Sequence, residues 1–568
     1  MPNKNLSALL VLVLTAIFYI YTLLPSLAWG DGTKLQSEAV SGESFVLAEM
    51  SADEFVPDPF IFSKVGVAAW DHPLYIVIGY LLVKALPFLD SLWLVNLMSA
   101  IFGAASVTLV FLLSYRFTDS LLAAGYASFS LAVSHTFWWH SSTPEVYTLL
   151  IFLLLMSFYL FDQYERKSNT SPPRSRRRLA AEKGDESILT NSNTSLFFSA
   201  FFLGLAASNH VLAFLIMPAL GLYYLSSGSL RNFRISNLKK LVMPVIAFLA
   251  GFSLYILQFI RMSANFPLAE IIGPVVGSTF LSQLGTLSPI LLGESILTYL
   301  FFLSVQFGPL GLVLGGFGIH KISQNKDLTL RKIIFLFIVF ALFGIFYRVT
   351  DQFTFFITSY VFWAMLMGIG SDYAFNLLPG KRRFLFWGIL GLLLLATPFF
   401  YMSIPRLTEQ HGINDDFIGI PKIGTGVRDG LAYYMNPYKR GDTSAYDFGE
   451  ETISNLPPNS VVLAEWYTDT DEYFILRYFT RIIKFRSDVI IVGWANQDPF
   501  YFDSQLALDL IEESFPEHPV YLTSLSDKFY AASKLVEMYC ILPENNLYRL
   551  YPPEKNDLQC LGNTSVTK

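Results

Sequence analysis

The sequence is poor in charge. Of its 568 residues only 15% are Asp, Glu, Lys or Arg, against 53% hydrophobic and 16% aromatic, and the mean hydropathy is +0.46. Soluble domains carry about a quarter charged residues, so this composition excludes an ordinary soluble enzyme. Cysteine is nearly absent, with only Cys540 and Cys560 near the C-terminus. That rules out a disulfide-stapled fold, and the pair reads as free or optionally bonded, according to whether that end meets an oxidising compartment. Collagen-like and disordered chains are excluded, no repeat of fixed period is present, and no clustered basic face suggests nucleic acid.

Long apolar runs are what the sequence has in excess. Runs of about 18 residues or more can cross a hydrocarbon core roughly 30 Å thick. Candidate spans are 6–27, 92–115, 119–138, 146–162, 195–208, 211–226, 241–260, 296–318, 333–347, 354–377 and 384–402, about eleven transmembrane helices. The first follows Lys4 as a signal peptide would, but it is long and the rest of the chain is membranous, so it reads as a retained helix.

The net charge of −6 conceals a division. Residues 1–402 carry 25 Lys and Arg against 21 Asp and Glu, net +4, whereas 403–568 carry 14 against 24, net −10. The chain thus divides into a transmembrane domain, 1–402, and an acidic, turn-rich, extracytoplasmic domain, 403–568. Basic residues gather in four loops: seven in 163–193, four in 227–240, four in 319–332 and three in 379–383. Such loops stay in the cytoplasm. By contrast 262–295 holds no Lys or Arg, and 30–73 holds eight acids against Lys34 and Lys64, which places both outside.

This orientation, with a cytoplasmic N-terminus, requires that 74–89 not cross. It is short, interrupted by Lys84 and Pro87, and reads as a re-entrant or juxtamembrane helix. Likewise 195–226 reads as a hairpin of two short helices turning outside near Ser208-Asn209-His210. In the C-terminal domain, Ser460-Val-Val-Leu-Ala-Glu-Trp, 471–482, Asp488-Val-Ile-Ile-Val-Gly-Trp, 503–514 and Pro519-Val-Tyr-Leu-Thr-Ser alternate strand and helix, predicting a soluble α/β layer.

Several polar residues interrupt the apolar pattern on the outer side. Gly30-Asp31-Gly32 puts a carboxylate on a sharply turned backbone at a membrane exit, although acids are common in outer loops. His72-Pro73 opens the short segment, where a helix-capping histidine is the plain alternative to a functional one. Glu145, after Pro144, occupies a helix start that the helix dipole alone would favour. Asn209 and His210 break an apolar hairpin and must find partners or face a cavity. Arg261 and Arg348 begin outer loops against the positive-inside trend and suit a lipid phosphate, with Asp351 offering Arg348 an ordinary ion pair instead. Asp469-Thr-Asp471 reads as a solvated loop.

Together, Gly30-Asp31, His72-Pro73, Glu145-Val146-Tyr147 and Gly204-Leu-Ala-Ala-Ser-Asn209-His210 resemble motifs of polytopic glycosyltransferases of the GT-C fold, within the domain family whose eukaryotic member is a transmembrane protein O-mannosyltransferase. The likeness runs from Gly30 to about Gly370. Where that family reads Gly-Asp-Ser-Gly-Glu, this chain reads Gly30-Asp31-Gly32-Thr33-Lys34, keeping the aspartate and losing the glutamate. The resemblance implies a glycosyltransferase, with mannose as one candidate sugar, that moves it from a polyprenyl-phosphate donor to a hydroxyl of a protein or envelope glycan at the outer face of the plasma membrane. It implies Asp31 as general base and Glu145 as its assistant. It implies His72, Asn209, His210, Arg261 and Arg348 as substrate-binding residues, and Asp31 with Glu145 as ligands of any divalent metal ion the enzyme uses. The competing readings are a transporter or flippase of lipid-linked sugars, disfavoured because the polar candidates gather at one surface, and an inactive envelope scaffold.

Overall fold

The computed structural model describes residues 3–42, 72–169, 187–218, 242–263, 288–325, 328–347, 352–413, 430–465, 472–494, 496–497, 500–501, 504–515, 517–525, 527–552 and 560–561. Helix α1 (Lys4–Thr22), capped by Asn3, is followed by α2 (Asp31–Ser41) and α3 (Pro73–Ala85). Next come α4 (Ser91–Thr118), α5 (Leu121–Ala132), α6 (His135–Ser142), α7 (Tyr147–Asn169) and α8 (Ser187–Asn209). Asp90 caps α4 by accepting from Trp93 N at 2.8 Å, and Ser120 caps α5, so the turn between these helices is encoded locally.

A short 3₁₀ turn, Val211–Leu215, follows α8. Then come α9 (Val242–Gly251) and α10 (Ser253–Ser263), bent by 61° from one another. Helix α11 (Pro289–Gln324) breaks at Gly308-Pro309, where Gly308 adopts φ 65°. A proline inside a helix removes one backbone hydrogen bond, and the glycine takes up the turn. The bundle ends with α12 (Leu328–Phe346), α13 (Gln352–Phe355), α14 (Ile357–Leu377) and α15 (Arg382–Gln410).

Among the described residues five helices are long and apolar enough to cross a membrane, or six if the bent α9–α10 pair is one span. The protein is an integral membrane protein. Its lipid-facing surfaces follow from what they expose: Leu6, Leu10 and Ile17 on α1, and Phe384, Leu392, Leu395 and Phe399 on α15. Such stripes are stable against hydrocarbon and costly against water. Helix α14 is buried from Ile357 to Ser371 and forms the bundle's axis. It lies close to α11 because Gly311, Gly315 and Gly318 present no side chain there: a Cβ on Gly315 would run into Trp363, and one on Gly318 into the Leu366 carbonyl.

Some expected spans change shape. The third, 119–138, is two helices broken at Val133–Ser134, because the Ser134 hydroxyl turns back to the Leu131 carbonyl at 2.8 Å and starts a new helix. The first arm of the expected hairpin is longer than read, Ser187–Asn209, and of the second only the 3₁₀ turn and the three residues after it are described. Segment 74–89 forms α3, whose 13 residues span about 20 Å at 1.5 Å each. That is too short to cross.

The C-terminal region adds α16 (Gly430–Met435), α17 (Ser444–Asn455), β1 (Val461–Glu465), α18 (Glu472–Arg477) and β2 (Ile490–Trp494). After a two-stranded ribbon of β3 (Asn496–Gln497) and β4 (Phe500–Tyr501) come α19 (Ser504–Ser514), β5 (Val520–Leu522), α20 (Asp527–Tyr530), α21 (Ala532–Met538), β6 (Cys540–Glu544) and β7 (Leu547–Tyr551). The sheet order is β2-β1-β5-β7-β6, with β1 parallel to β2 and β5, and β5-β7-β6 antiparallel. The three expected strands are β1, β2 and β5; the β6–β7 hairpin was not foreseen. Pro543 is tolerated there because β6 is the sheet edge. The hairpin also corrects the cysteine reading, since Leu561 N donates to Ile541 O at 3.1 Å and brings Cys560 beside Cys540, with which it forms a disulfide.

Candidate active site

The α/β domain sits on one end of the bundle. Trp29, Leu92 and Trp139, from the ends of bundle elements, are buried in the same apolar cluster as Val462, Leu463 and Tyr521 of the sheet. Trp29 Nε1 donates to Ser444 Oγ at 2.9 Å, His135 Nε2 to Tyr434 O at 2.8 Å, and Lys439 N to Thr22 O at 3.0 Å. Five of the sequence-predicted residues, Asp31, His72, Glu145, Asn209 and His210, gather at this end.

Asp31 is placed by a buried amide network beneath it. Gln36 accepts from Ala28 N at 3.0 Å and donates to Ser26 O at 3.0 Å and to Asn96 Oδ1 at 2.8 Å, while Asn96 donates to Leu24 O at 2.9 Å. The segment leaving α1 is thereby tied to α2 and α4. It ends at Gly30, with φ 73° and ψ −153°, a conformation open essentially to glycine alone. Asp31 then begins α2 with its side chain exposed.

Helix α2 runs beside α3 in the same direction. A Cβ on Gly79 would lie 2.8 Å from Ala39 Cβ, and one on Gly42 would lie 2.9 Å from the Tyr80 ring. Since Ala39 is eight residues after Asp31 and Gly79 seven after His72, Asp31 and His72 open their helices at the same end. Helix α2 also touches the turn before α7: a Cβ on Gly32 would sit 3.0 Å from Pro144 Cγ. Glu145 follows, its backbone N–H held by Ser99 Oγ at 3.1 Å.

The hairpin turn completes the cluster. His72 Nδ1 lies 2.7 Å from the Asn209 carbonyl, which can only accept, so Nδ1 carries the proton and Nε2 is left as an acceptor. His210 Nδ1 accepts from Leu212 N at 3.1 Å, so its Nε2–H is a donor. The two imidazoles stack with centroids 5.0 Å apart, and Tyr147 packs on His210 at 5.4 Å. Asn209 Nδ2 donates to Val146 O at 2.9 Å. Burial pushes the His72 imidazole down to about 4, the Lys34 charge adding to it against the opposing hydrogen bond to Asn209. The pair therefore presents one acceptor and one donor, both suited to hydroxyls and phosphate oxygens.

Asp31, His72, Glu145, Asn209 and His210 thus share one end of the bundle, where α2, α3 and α7 all begin. Three helix N-termini facing one region favour an anion there. Arg261 lies on α10; Arg348, with Asp351, falls outside the described residues, as do Asp469 and Asp471. Among the described residues no three His, Cys, Asp or Glu side chains are grouped to hold a metal ion. A hard divalent cation held by Asp31 and Glu145 would take its remaining oxygens from water and the substrate's phosphate. Sequence reasoning missed Gln36, Asn96 and Ser99; the polar Asn96 and Ser99 inside apolar α4 were the available signal.

Residues 71–232 match the family profile of the protein O-mannosyl-transferase TMEM260 N-terminal domain. No curated protein matches the chain by sequence. Among solved structures, ArnT from Cupriavidus metallidurans in the apo state aligns with a TM-score of 0.54 at 10% identity, over 95% of this chain and 97% of that one. The same protein bound to undecaprenyl phosphate aligns at 0.52 and 12%, over 96% and 97%. The chain has the GT-C fold. A looser likeness, TM-score 0.45 at 12% identity over 85% of this chain and 64% of the other, runs to the apo Archaeoglobus fulgidus oligosaccharyltransferase. The GT-C likeness spans both the helical bundle and the C-terminal domain, whereas the matched family profile covers His72, Glu145, Asn209 and His210 but not Asp31.

Proposed function

We propose that this GT-C protein is a membrane glycosyltransferase that moves a sugar from a polyprenyl-phosphate donor to an acceptor hydroxyl of a protein or envelope glycan, at the outer face of the plasma membrane. The observation that carries the reading is the His72–Asn209 hydrogen bond, which joins two turns far apart in sequence beside the Asp31 helix. Two features support a phosphate donor: the convergent helix starts, and the undecaprenyl phosphate bound by the structurally similar ArnT.

In this reading Asp31 takes the proton of the acceptor hydroxyl as its oxygen attacks the anomeric carbon. The bond from that carbon to the phosphate oxygen breaks, and the polyprenyl phosphate leaves with the electron pair. His210 Nε2–H and the helix N-termini stabilise the departing charge, and His72 Nε2 accepts from a sugar hydroxyl. Glu145, on the turn against Gly32, orients the acceptor. Arg261 and Arg348 are assigned to the donor phosphate and mannose to the donor sugar by resemblance.

Purified protein in liposomes, supplied with polyprenyl-phosphate sugars and hydroxyl acceptors, tests the reading. Sugar transfer that inverts the anomeric carbon is expected, and inactivity with every lipid-linked sugar would replace it with the scaffold reading. For the orientation, a cysteine at Ser504 should label from outside intact cells and one at Ser175 should not. The reverse pattern would overturn it.

A further inference from the structure

Six aromatic side chains close into a ring beside the Glu145 turn. His140 packs on Trp139 with centroids 5.0 Å apart, Trp139 stacks on Tyr434 at 6.0 Å, and Tyr434 meets Phe353 at 6.2 Å. Phe355, further along α13, packs on Tyr147 at 6.0 Å, and Tyr147 returns to His140 at 5.0 Å. The side chains come from α6, α7, α13 and α16, so the bundle and the C-terminal region both contribute. Trp139, His140 and Tyr147 are buried, whereas Tyr434, Phe353 and Phe355 are half-buried and form the exposed side.

Three nitrogens set this ring apart from ordinary apolar packing. Trp139 Nε1, His140 Nδ1 and His140 Nε2 are buried and make no hydrogen bond among the described residues. Buried polar atoms without partners are costly, and phenylalanine at either position would avoid the cost. A neutral imidazole offers one donor and one acceptor, and the indole one more donor. A pyranose ring matches both properties of the site: its C–H face lies flat against the negative face of an aromatic ring, and each hydroxyl at its rim both donates and accepts. A lipid tail would leave all three nitrogens unpaired, and a serine or threonine brings one hydroxyl and no flat C–H face. His140 precedes Glu145 and Tyr147 follows it, so the ring is built on both arms of the turn that carries this carboxylate.

We propose that this ring is a saccharide subsite for the acceptor, and that the hydroxyl glycosylated belongs to a glycan rather than to a protein side chain. The proposal rests on the glycosyl-transfer reading for the reaction, but the subsite can be measured without turnover. The experiment is saturation-transfer NMR on the full-length protein, in a detergent without a sugar headgroup and with polyprenyl phosphate present. The probes are methyl α-mannoside, methyl α-glucoside, N,N′-diacetylchitobiose and a short Ser/Thr peptide, and polyprenyl phosphate is titrated separately. At least one saccharide should bind, and the peptide should not. Trp139→Phe and His140→Phe remove nitrogens while keeping a ring, and each should weaken saccharide binding about three- to tenfold, the usual worth of one hydrogen bond. His140→Gln, which keeps a donor and an acceptor, should recover part of the loss. Tyr434→Ala, on the half-buried side, should weaken binding by a similar factor, and polyprenyl-phosphate affinity should stay the same in all of these variants. Saccharide binding at wild-type strength in both His140→Phe and Tyr434→Ala overturns the subsite, as does a wild type that binds the peptide and no saccharide. A matching loss of polyprenyl-phosphate affinity would make the ring part of the donor site and defeat the proposal too. Wild type that binds saccharides yet transfers from no lipid-linked sugar would remove the glycosyl-transfer reading and leave the ring as a saccharide-binding site alone.

Discussion

The His72 imidazole donates to the Asn209 carbonyl across 2.7 Å, tying the start of α3 to the end of α8 through a single proton. Between these residues lie α3 to α8, so the bond closes a loop of 137 positions and fixes where His210 stacks. His72→Ala leaves a partly buried carbonyl without its donor, at a cost of about 1–3 kcal/mol. His72→Asn, whose amide can reach the same carbonyl, should recover part of that. Melting temperatures of the two variants in one detergent check the difference, and sugar transfer should fall in both because the stacked pair is lost.

Two glycines carry the position of Asp31. Gly30→Ala forces a side chain onto φ 73° and ψ −153°, a strain of about 1–3 kcal/mol. Gly32→Ser introduces a Cβ 2.7 Å from Ala28 Cβ and 3.0 Å from Pro144 Cγ, so α2 must move off the turn that carries Glu145. Although Gly32→Ser would make the motif more like that of the resembled family, it should lower transfer at least tenfold, since a shift of about 1 Å at a reacting group can cost 10²-fold. Equal activity of this variant and wild type would show that the Gly32–Pro144 contact does not set the geometry.

Much of this architecture was legible because hydrocarbon is an exacting solvent: runs such as 384–402 could only be spans, and polar words such as Asn209-His210 had to be paired or functional. The parallel docking of α2 on α3 was not legible, because it depends on Gly79 and Ala39 fitting each other across an intervening stretch, 43–71, outside the described structure. Gln36 escaped notice for a related reason. A glutamine in a polar outer loop gives no sign that it is buried, and only the fold brings Asn96 to it. The β6–β7 hairpin was concealed by Pro543, although Asn545, at φ 54°, was a turn signal in plain view.

His140 gives the site a pH dependence of stability. It is almost fully buried, neither ring nitrogen has a hydrogen-bond partner among the described residues, and burial, with His135 nearby, holds its imidazole down to about 3. In the unfolded chain the same ring titrates near 6.5. Between those values the unfolded state binds more protons than the folded one, so stability is whole above about pH 6.5 and falls as pH drops towards 3, by up to about 1.4 kcal/mol per pH unit. His140→Phe keeps the ring packing on Tyr147 and cannot be protonated. Denaturation between pH 4 and 8 should show a shallower acid loss in this variant, whereas parallel curves would mean that His140 is hydrated in the fold.

The sharpest test of the catalytic assignment concerns Asp31, which is exposed at the start of α2 and beside the Pro144–Glu145 turn. Asp31→Asn preserves size and hydrogen bonding and cannot take the acceptor's proton. General-base assistance is worth about 10²- to 10⁴-fold, so transfer should fall by that factor. Melting and polyprenyl-phosphate binding should change little, because the amide network of Gln36 and Asn96 that holds the segment is untouched. Glu145→Gln separates two roles for the second carboxylate. If Glu145 only orients the acceptor, the loss should be smaller than for Asp31→Asn and should appear mainly in the acceptor's KM; if it anchors a required metal, the loss should match Asp31→Asn and EDTA should abolish wild-type transfer. Turnover at the wild-type rate by Asp31→Asn would remove Asp31 from the reaction and leave the convergent helix starts as a binding site in search of its base.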